Sequence, residues 1–161
     1  MSATTTATAS EPIWFIDNLA RVHLDGRRTG GAYCLVEMYG PPGDIPPLHV
    51  HRREDEAFCV LEGRLRLFVG DEVVDVGPGE CAIAPVGVPH VYRVESEEPA
   101  RWFVVCSPAG FDEFVREVGE RAEEDSLPPP GRPFDADALV ESAGRHGVEI
   151  LGPPGTLPGD A

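Results

Sequence analysis

Gly43 to Gly63 reads GDIPPLHVHRREDEAFCVLEG, and the fold turns on how this stretch is read. His49 and His51 sit one residue apart. Arg52, Arg53, Glu54 and Asp55 follow as a charged run, and an alternating apolar segment then closes at Gly63. In a strand, residues i and i+2 face the same side. On a strand, His49 and His51 therefore converge while Val50 turns away. If EAFCVLEG folds back across the bend implied by RRED, Glu56 approaches the same point. Alone, a His-x-His pair is more often polarity on a strand than a pair of ligands, and Glu56 alone is an ordinary solvated acid.

Further along, GPGECAIAPVGVPHVYRV delivers His90 after a Pro/Gly turn. His90 alone would be an ordinary loop histidine. Together, three imidazoles and one carboxylate suit one divalent transition metal ion: Fe, Ni, Mn, Co, Cu or Zn. A single carboxylate leaves such a site cationic, with room for water, O2 or a chelating substrate.

The surroundings are strand-like. GAYCLVEMYG, EAFCVLEG, RLRLFVG, EVVDVGPG, ECAIAPVG, HVYRVES and RWFVVC recur at roughly 8–12-residue spacing, separated by glycine, proline or acidic turns. VGDEVV predicts a hairpin turn centred on Gly70 and Asp71, and no helical period interrupts residues 12–106. This defines an all-β domain over 12–106, preceded by a flexible Thr/Ala tail at 1–11. Residues 107–161 form a helical C-terminal extension. Ser107 is the expected N-cap of its first helix, with Pro108 at the first helical position. Phe111, Phe114, Val115 and Val118 make one apolar stripe that should dock on the barrel or on a partner subunit. SLPPPGRP is a stiff connector. FDADALVESAGRHG reads as a second helix capped by Asp135 and ended at Gly147, and VEILGPP as a short strand or arm returning to the body.

Composition narrows the function. The chain has 161 residues, 42% of them hydrophobic, enough for one folded domain. Its formal net charge is −15. Such a surface repels phosphate backbones and anionic lipid, so no nucleic acid or membrane partner is expected. The four cysteines form no CxxC pair and lie in strand-like segments, which predicts buried free thiols in a reducing compartment. No apolar run reaches the ~20 residues that span a bilayer. The N-terminal residues lack the charged and apolar regions of a signal peptide, so the expected location is cytoplasmic. No GxSxG elbow and no phosphate-cradling glycine loop is present.

The spacing resembles the cupin family. Its first motif is Gly, five residues, His-x-His, three or four residues, Glu, six residues, Gly. Here that is Gly43, His49, His51, Glu56 and Gly63, with four residues between His51 and Glu56. The second motif is Gly, five residues, Pro-x-Gly, two residues, His, three residues, Asn. Here that is Gly79, Pro85, Gly87 and His90, with Val94 in place of the Asn. The resemblance covers roughly residues 30–106. It implies a jelly-roll barrel, assembly as a homodimer, and a metal held by His49, His51, Glu56 and His90. The extension also resembles that of small bacterial cupins grouped with quercetin 2,3-dioxygenase. That likeness implies O2-dependent ring cleavage of an aromatic, enediol-like small molecule, with Glu56 as catalytic base.

Strand parity nominates the pocket walls. Phe58 shares the parity of Glu56, Tyr92 that of His90, and Trp102 turns inward because Arg101 prefers solvent. Met38 follows from an earlier strand, unless that strand is flipped and Glu37 points in. Phe58, Tyr92, Trp102 and Met38 are therefore the candidate substrate-binding residues, or simply barrel filling. Arg52 to Asp55 read as a solvated turn that could gate the mouth. The expected activity is that of a mononuclear metal-dependent dioxygenase. The alternatives are a non-redox isomerase, dehydratase or cyclase, and a binding module without catalysis.

Overall fold

The computed structural model describes residue 7 and residues 9–160. Most of the tail expected at 1–11 lies outside the described residues. The chain forms, in order, β1 (Pro12–Phe15), β2 (Asn18–Leu24), α1 (Gly26–Thr29), β3 (Cys34–Gly40), β4 (Pro47–His51), β5 (Asp55–Glu62), β6 (Leu65–Val69), β7 (Glu72–Val76), β8 (Cys81–Ala84), β9 (His90–Val94) and β10 (Ala100–Ser107). The C-terminal part adds α2 (Phe111–Val118), β11 (Glu120–Arg121), α3 (Ala136–Arg145), β12 (Val148–Pro154) and a final 3-10 turn.

The strands make two sheets that face each other across one core. One is ordered β11-β1-β2-β3-β10-β5-β8 and the other β12-β4-β9-β6-β7. The paired strands run antiparallel, giving the jelly-roll barrel. Alternation explains how the sheets close. In β3 and β10 every second residue is buried, and Cys34, Val36, Met38, Trp102, Val104 and Cys106 all point inward. Each large apolar side chain so removed from water stabilises the fold by about 1.5–3 kcal/mol before entropy is counted. The β6–β7 turn falls at Gly70, whose φ of 55° lies in the left-handed region that glycine tolerates.

Three local expectations are corrected. α1 interrupts the β region with a single turn, because the Asp25 carboxylate accepts from the Arg28 backbone N–H (3.0 Å) and caps it. Ser107 is not an N-cap. It ends β10, paired with Asp55, and its hydroxyl donates to the Ala32 carbonyl (2.9 Å). The helix starts at Phe111 with Gly110 as N-cap, because the strand ladder holds the backbone extended through Ser107. The cysteines also divide: Cys34 and Cys106 are buried free thiols, but Cys59 is only partly buried and Cys81 is exposed. Apolar neighbours in sequence do not bury a residue that alternation turns outward.

The apolar stripe of α2 packs on the barrel. Phe15 meets Phe111 and Phe114 edge to face, with centroids 6.0 and 5.5 Å apart. Asp135 caps α3 by accepting from the Ala138 N–H (3.0 Å). β12 then adds to the edge of the second sheet beside β4, opposing Val148 to His51 and Ile150 to His49. Among the described residues, no helix is long and apolar enough to cross a membrane.

Candidate metal centre

β4 runs inward from Pro47 and places His49 and His51 on one face. The chain turns at Arg52–Glu54 and returns as β5, carrying Glu56. β9 pairs with β4 through His49 and His90, bringing the third imidazole alongside. The ring centroids lie 4.5 Å apart for His49–His90, 5.2 Å for His49–His51 and 5.4 Å for His51–His90. One oxygen of Glu56, Oε2, stands 2.8 Å from His90 Nε2, 3.1 Å from His51 Nε2 and 4.0 Å from His49 Nε2.

The outer nitrogen of each ring is held. His49 Nδ1–H donates to the Pro47 carbonyl (2.8 Å), His90 Nδ1–H to the Val88 carbonyl (2.9 Å), and His51 Nδ1–H to Glu54 (2.8 Å). These bonds orient the three Nε2 atoms toward one point and raise their basicity. The four donor atoms lie within 4.8 Å of one another. Donors about 2.0–2.2 Å from a shared ion lie at most about 4.4 Å apart, so the set fits a small divalent cation after shifts of a few tenths of an ångström.

The charges are strongly coupled. Burial pushes the Glu56 carboxyl up, but the His51 charge and the hydrogen bonds from His51 and His90 outweigh it and hold the group well below the usual range. Burial pushes His51 down, but Glu56 and Glu54 outweigh it and raise it to about 10. His49 is lowered to about 3, by burial first and then by the other two imidazoles. One ring is thus an ion-pair partner for Glu56 and another stays neutral, with its lone pair available.

Phe58, Tyr92, Trp102 and Met38 all border the cavity that contains His49, His51 and Glu56. Aromatic contacts lead away from the donors: Phe58 to His90 at 6.2 Å, Phe58 to Tyr92 at 6.2 Å, and Tyr92 to Trp102 at 5.0 Å. Glu37, the alternative inward residue, instead meets His23 (2.6 Å) on the other face. This partly open cavity has a volume of about 60 Å³, room for about two waters.

Several residues at the site were missed from sequence. Glu54, assigned to a solvated turn, is 2% exposed and braces His51. Asn18 and Asp44 join Tyr92: the tyrosine O–H donates to Asp44 (2.8 Å), and the Asn18 amide donates to Asp44 (3.0 Å) and Tyr92 (3.2 Å). Burial raises the Asp44 carboxyl despite these bonds. Val94, which replaces the motif Asn, is buried, and its backbone N–H donates to the Asp44 carbonyl (3.0 Å), fixing the loop that carries Asp44. Within the same cavity lining, Asn18 Oδ1 and Trp102 Nε1 are buried without a protein partner. The extension contributes Phe111, Phe114, Leu139, Val148 and Ile150 to the wall. The apolar stripe of α2 signalled two of these; nothing local signalled Asn18 or Asp44.

Comparison with known proteins places this geometry. Residues 36–106 match the family described as Cupin domain. Over 137 residues the chain is 40% identical to quercetin 2,3-dioxygenase of Bacillus subtilis strain 168, covering 85% of this chain and 40% of that protein. It is 28% identical over 100 residues to oxidoreductase OpS7 of Beauveria bassiana strain ARSEF 2860, covering 56% and 33% respectively. The chain therefore spans less than half the length of either relative. Among solved structures, the polyketide cyclase RemF from Streptomyces resistomycificus superposes with a TM-score of 0.54 at 21% identity, covering 89% of this chain and 97% of that one. That last likeness bears on the fold.

Proposed function

Since the chain is a cupin of the quercetinase-like group, with its cupin domain at residues 36–106, we propose that it is a mononuclear metal-dependent dioxygenase acting on a small aromatic, enediol-like molecule. The observation that carries this reading is the clustering of the His49, His51 and His90 Nε2 atoms around one Glu56 oxygen, beside an apolar cavity lined by His49, His51 and Glu56. His49, His51, Glu56 and His90 hold the metal. When bound, the ion supplies Lewis acidity toward an enediol oxygen and redox exchange with O2.

The chain's own groups do the rest. Glu56 is ionised because His51 and His90 hold its carboxyl well below the usual range, so it can accept the proton of a substrate hydroxyl. Phe58, Tyr92, Trp102 and Met38 contact the ring system and exclude water. The unpaired Trp102 Nε1–H and Asn18 Oδ1 offer a donor and an acceptor to a polar substituent. At about 60 Å³ the cavity is smaller than an aromatic ring system needs, so binding requires the wall to yield. The wall side formed by α2, α3 and β12 lies outside the matched cupin residues and is the one we expect to move.

Oxygen uptake by metal-loaded protein decides the matter. With a flavonol or a related enediol, consumption of one O2 per substrate cleaved, abolished by Glu56→Gln and by His49→Ala, supports the reading. Turnover of such substrates under strict anaerobiosis overturns it in favour of Lewis-acid chemistry. Binding without chemical change under aerobic conditions overturns it in favour of a binding module.

A further inference from the structure

We propose that Cys59 and Cys81 are a modification site: a peroxide-oxidisable thiol pair that closes into a reversible cross-strand disulfide on the outer face of the barrel. The two residues are direct partners in the β5–β8 ladder. Just beyond this pair the Val60 N–H donates to the Glu80 carbonyl (3.0 Å) and the Gly79 N–H donates to the Val60 carbonyl (2.9 Å), a bulge of one residue opposite Val60. Hydrogen-bonded and non-hydrogen-bonded pairs alternate along an antiparallel ladder, so Cys59–Cys81 is a non-hydrogen-bonded pair with Cα atoms about 4.5 Å apart. That lies inside the span of roughly 4.4–6.8 Å that a disulfide bridges without moving the backbone.

Accessibility separates this pair from the other. Cys34 and Cys106 also oppose each other, across β3 and β10, but both are 0% exposed. Cys81 is exposed and Cys59 partly buried. Burial and the adjacent Cys81 thiol push Cys59 up to about 11, and Cys81, the exposed member, meets the oxidant first. The oxidant we assign is a small neutral peroxide, whose approach the formal net charge of −15 does not oppose.

The chemistry has two steps. The Cys81 sulfur attacks one oxygen of hydrogen peroxide; the O–O bond breaks, water leaves, and Cys81 becomes a sulfenic acid. The Cys59 sulfur then attacks the Cys81 sulfur, the S–O bond breaks, and the Cys59 proton leaves with the hydroxyl as a second water. Two thiols are oxidised to one disulfide, and one peroxide is reduced to two waters. The link would act on a weak edge. Among the described residues, β8 ends its sheet, with β5 as its one sheet neighbour. It also leads into the turn that ends at His90, while β5 carries Glu56.

The test uses full-length, metal-loaded protein exposed to hydrogen peroxide and mapped without reduction. We expect the intact mass to fall by two hydrogens, a linked peptide pair containing Cys59 and Cys81, and full reversal by dithiothreitol. We also expect a Tm gain of about 5–10 °C in the oxidised form. C81S and C59S should each lose both the link and the Tm gain, whereas C34S should keep them. Oxidation of Cys81 to sulfinic acid with Cys59 still reduced would overturn the proposal. So would a Cys34–Cys106 link or a dimer joined through Cys81. Each overturning outcome is read on the wild-type chain, so poor folding of a variant does not obscure it.

Discussion

His51 is gripped from both sides, with Glu54 on Nδ1 and Glu56 near Nε2, and it is 2% exposed. A buried carboxylate on the outer nitrogen fixes the ring's rotation and makes the inner nitrogen a stronger donor. Glu54→Gln keeps the shape but removes the charge. It should weaken metal binding by about 10- to 100-fold, measured by chelator competition, while the far-UV circular dichroism stays unchanged. Unaltered affinity would reduce Glu54 to a structural brace. The clustering of the candidate donors was legible, because His49, His51 and Glu56 lie within eight residues and strand parity aligns them. Glu54 was not: a charged run reads as solvated until the turn of β4 into β5 folds one of its members inward. The Asn18–Asp44–Tyr92 cluster was invisible for another reason. Its members lie 26 and 74 residues from Asn18, and no pattern in the chain links them.

Among the elements, β12 has the most telling position. It pairs with β4 residue by residue across both histidines, so the strand carrying two donors is held between β9 and a C-terminal arm. Removing residues 148–161 would leave β4 as an open sheet edge and strip Val148 and Ile150 from the cavity wall. The shortened protein should melt several degrees lower, and its metal content after equilibration with a weak chelator should fall by about tenfold or more. Retained metal at full occupancy would show that β12 only covers the site. The helices were legible from their apolar stripe and from the Asp135 cap, and the return of VEILGPP to the body was expected from its apolar content. Which strand it would join was not, because partner choice depends on which sheet edge the rest of the fold leaves open.

For the whole molecule, the coupled imidazoles set how stability follows pH when metal is removed. His49 is lowered to about 3 in the folded state against an ordinary 6.5, so the unfolded chain binds more protons between these values. Stability from this group is therefore lost as pH falls below 6.5. His51 is raised to about 10, so the folded chain binds more protons above 6.5, and that stability is lost as pH rises toward 10. Chelator-treated protein should show a Tm maximum near pH 6.5, falling on both sides, and bound metal should flatten the alkaline limb because it displaces the His51 proton. A Tm that climbs steadily from pH 6.5 to 9 without metal would contradict the His51 pairing. By itself, the sequence determined the all-β class, the strand spacing, the four residues that cluster at the candidate centre and the amphipathic helix. Each of these is a local property, carried by alternation, helical period and turn chemistry. Only the tertiary structure decided that Glu54 is buried, that Asn18 and Asp44 meet Tyr92, that β12 flanks β4, and that Cys59 faces Cys81 near the surface. Apart from Glu54, which the β4–β5 turn folds onto His51 three residues away, those contacts join residues far apart in the chain, and their partners are set by sheet order and closure, which no local pattern encodes.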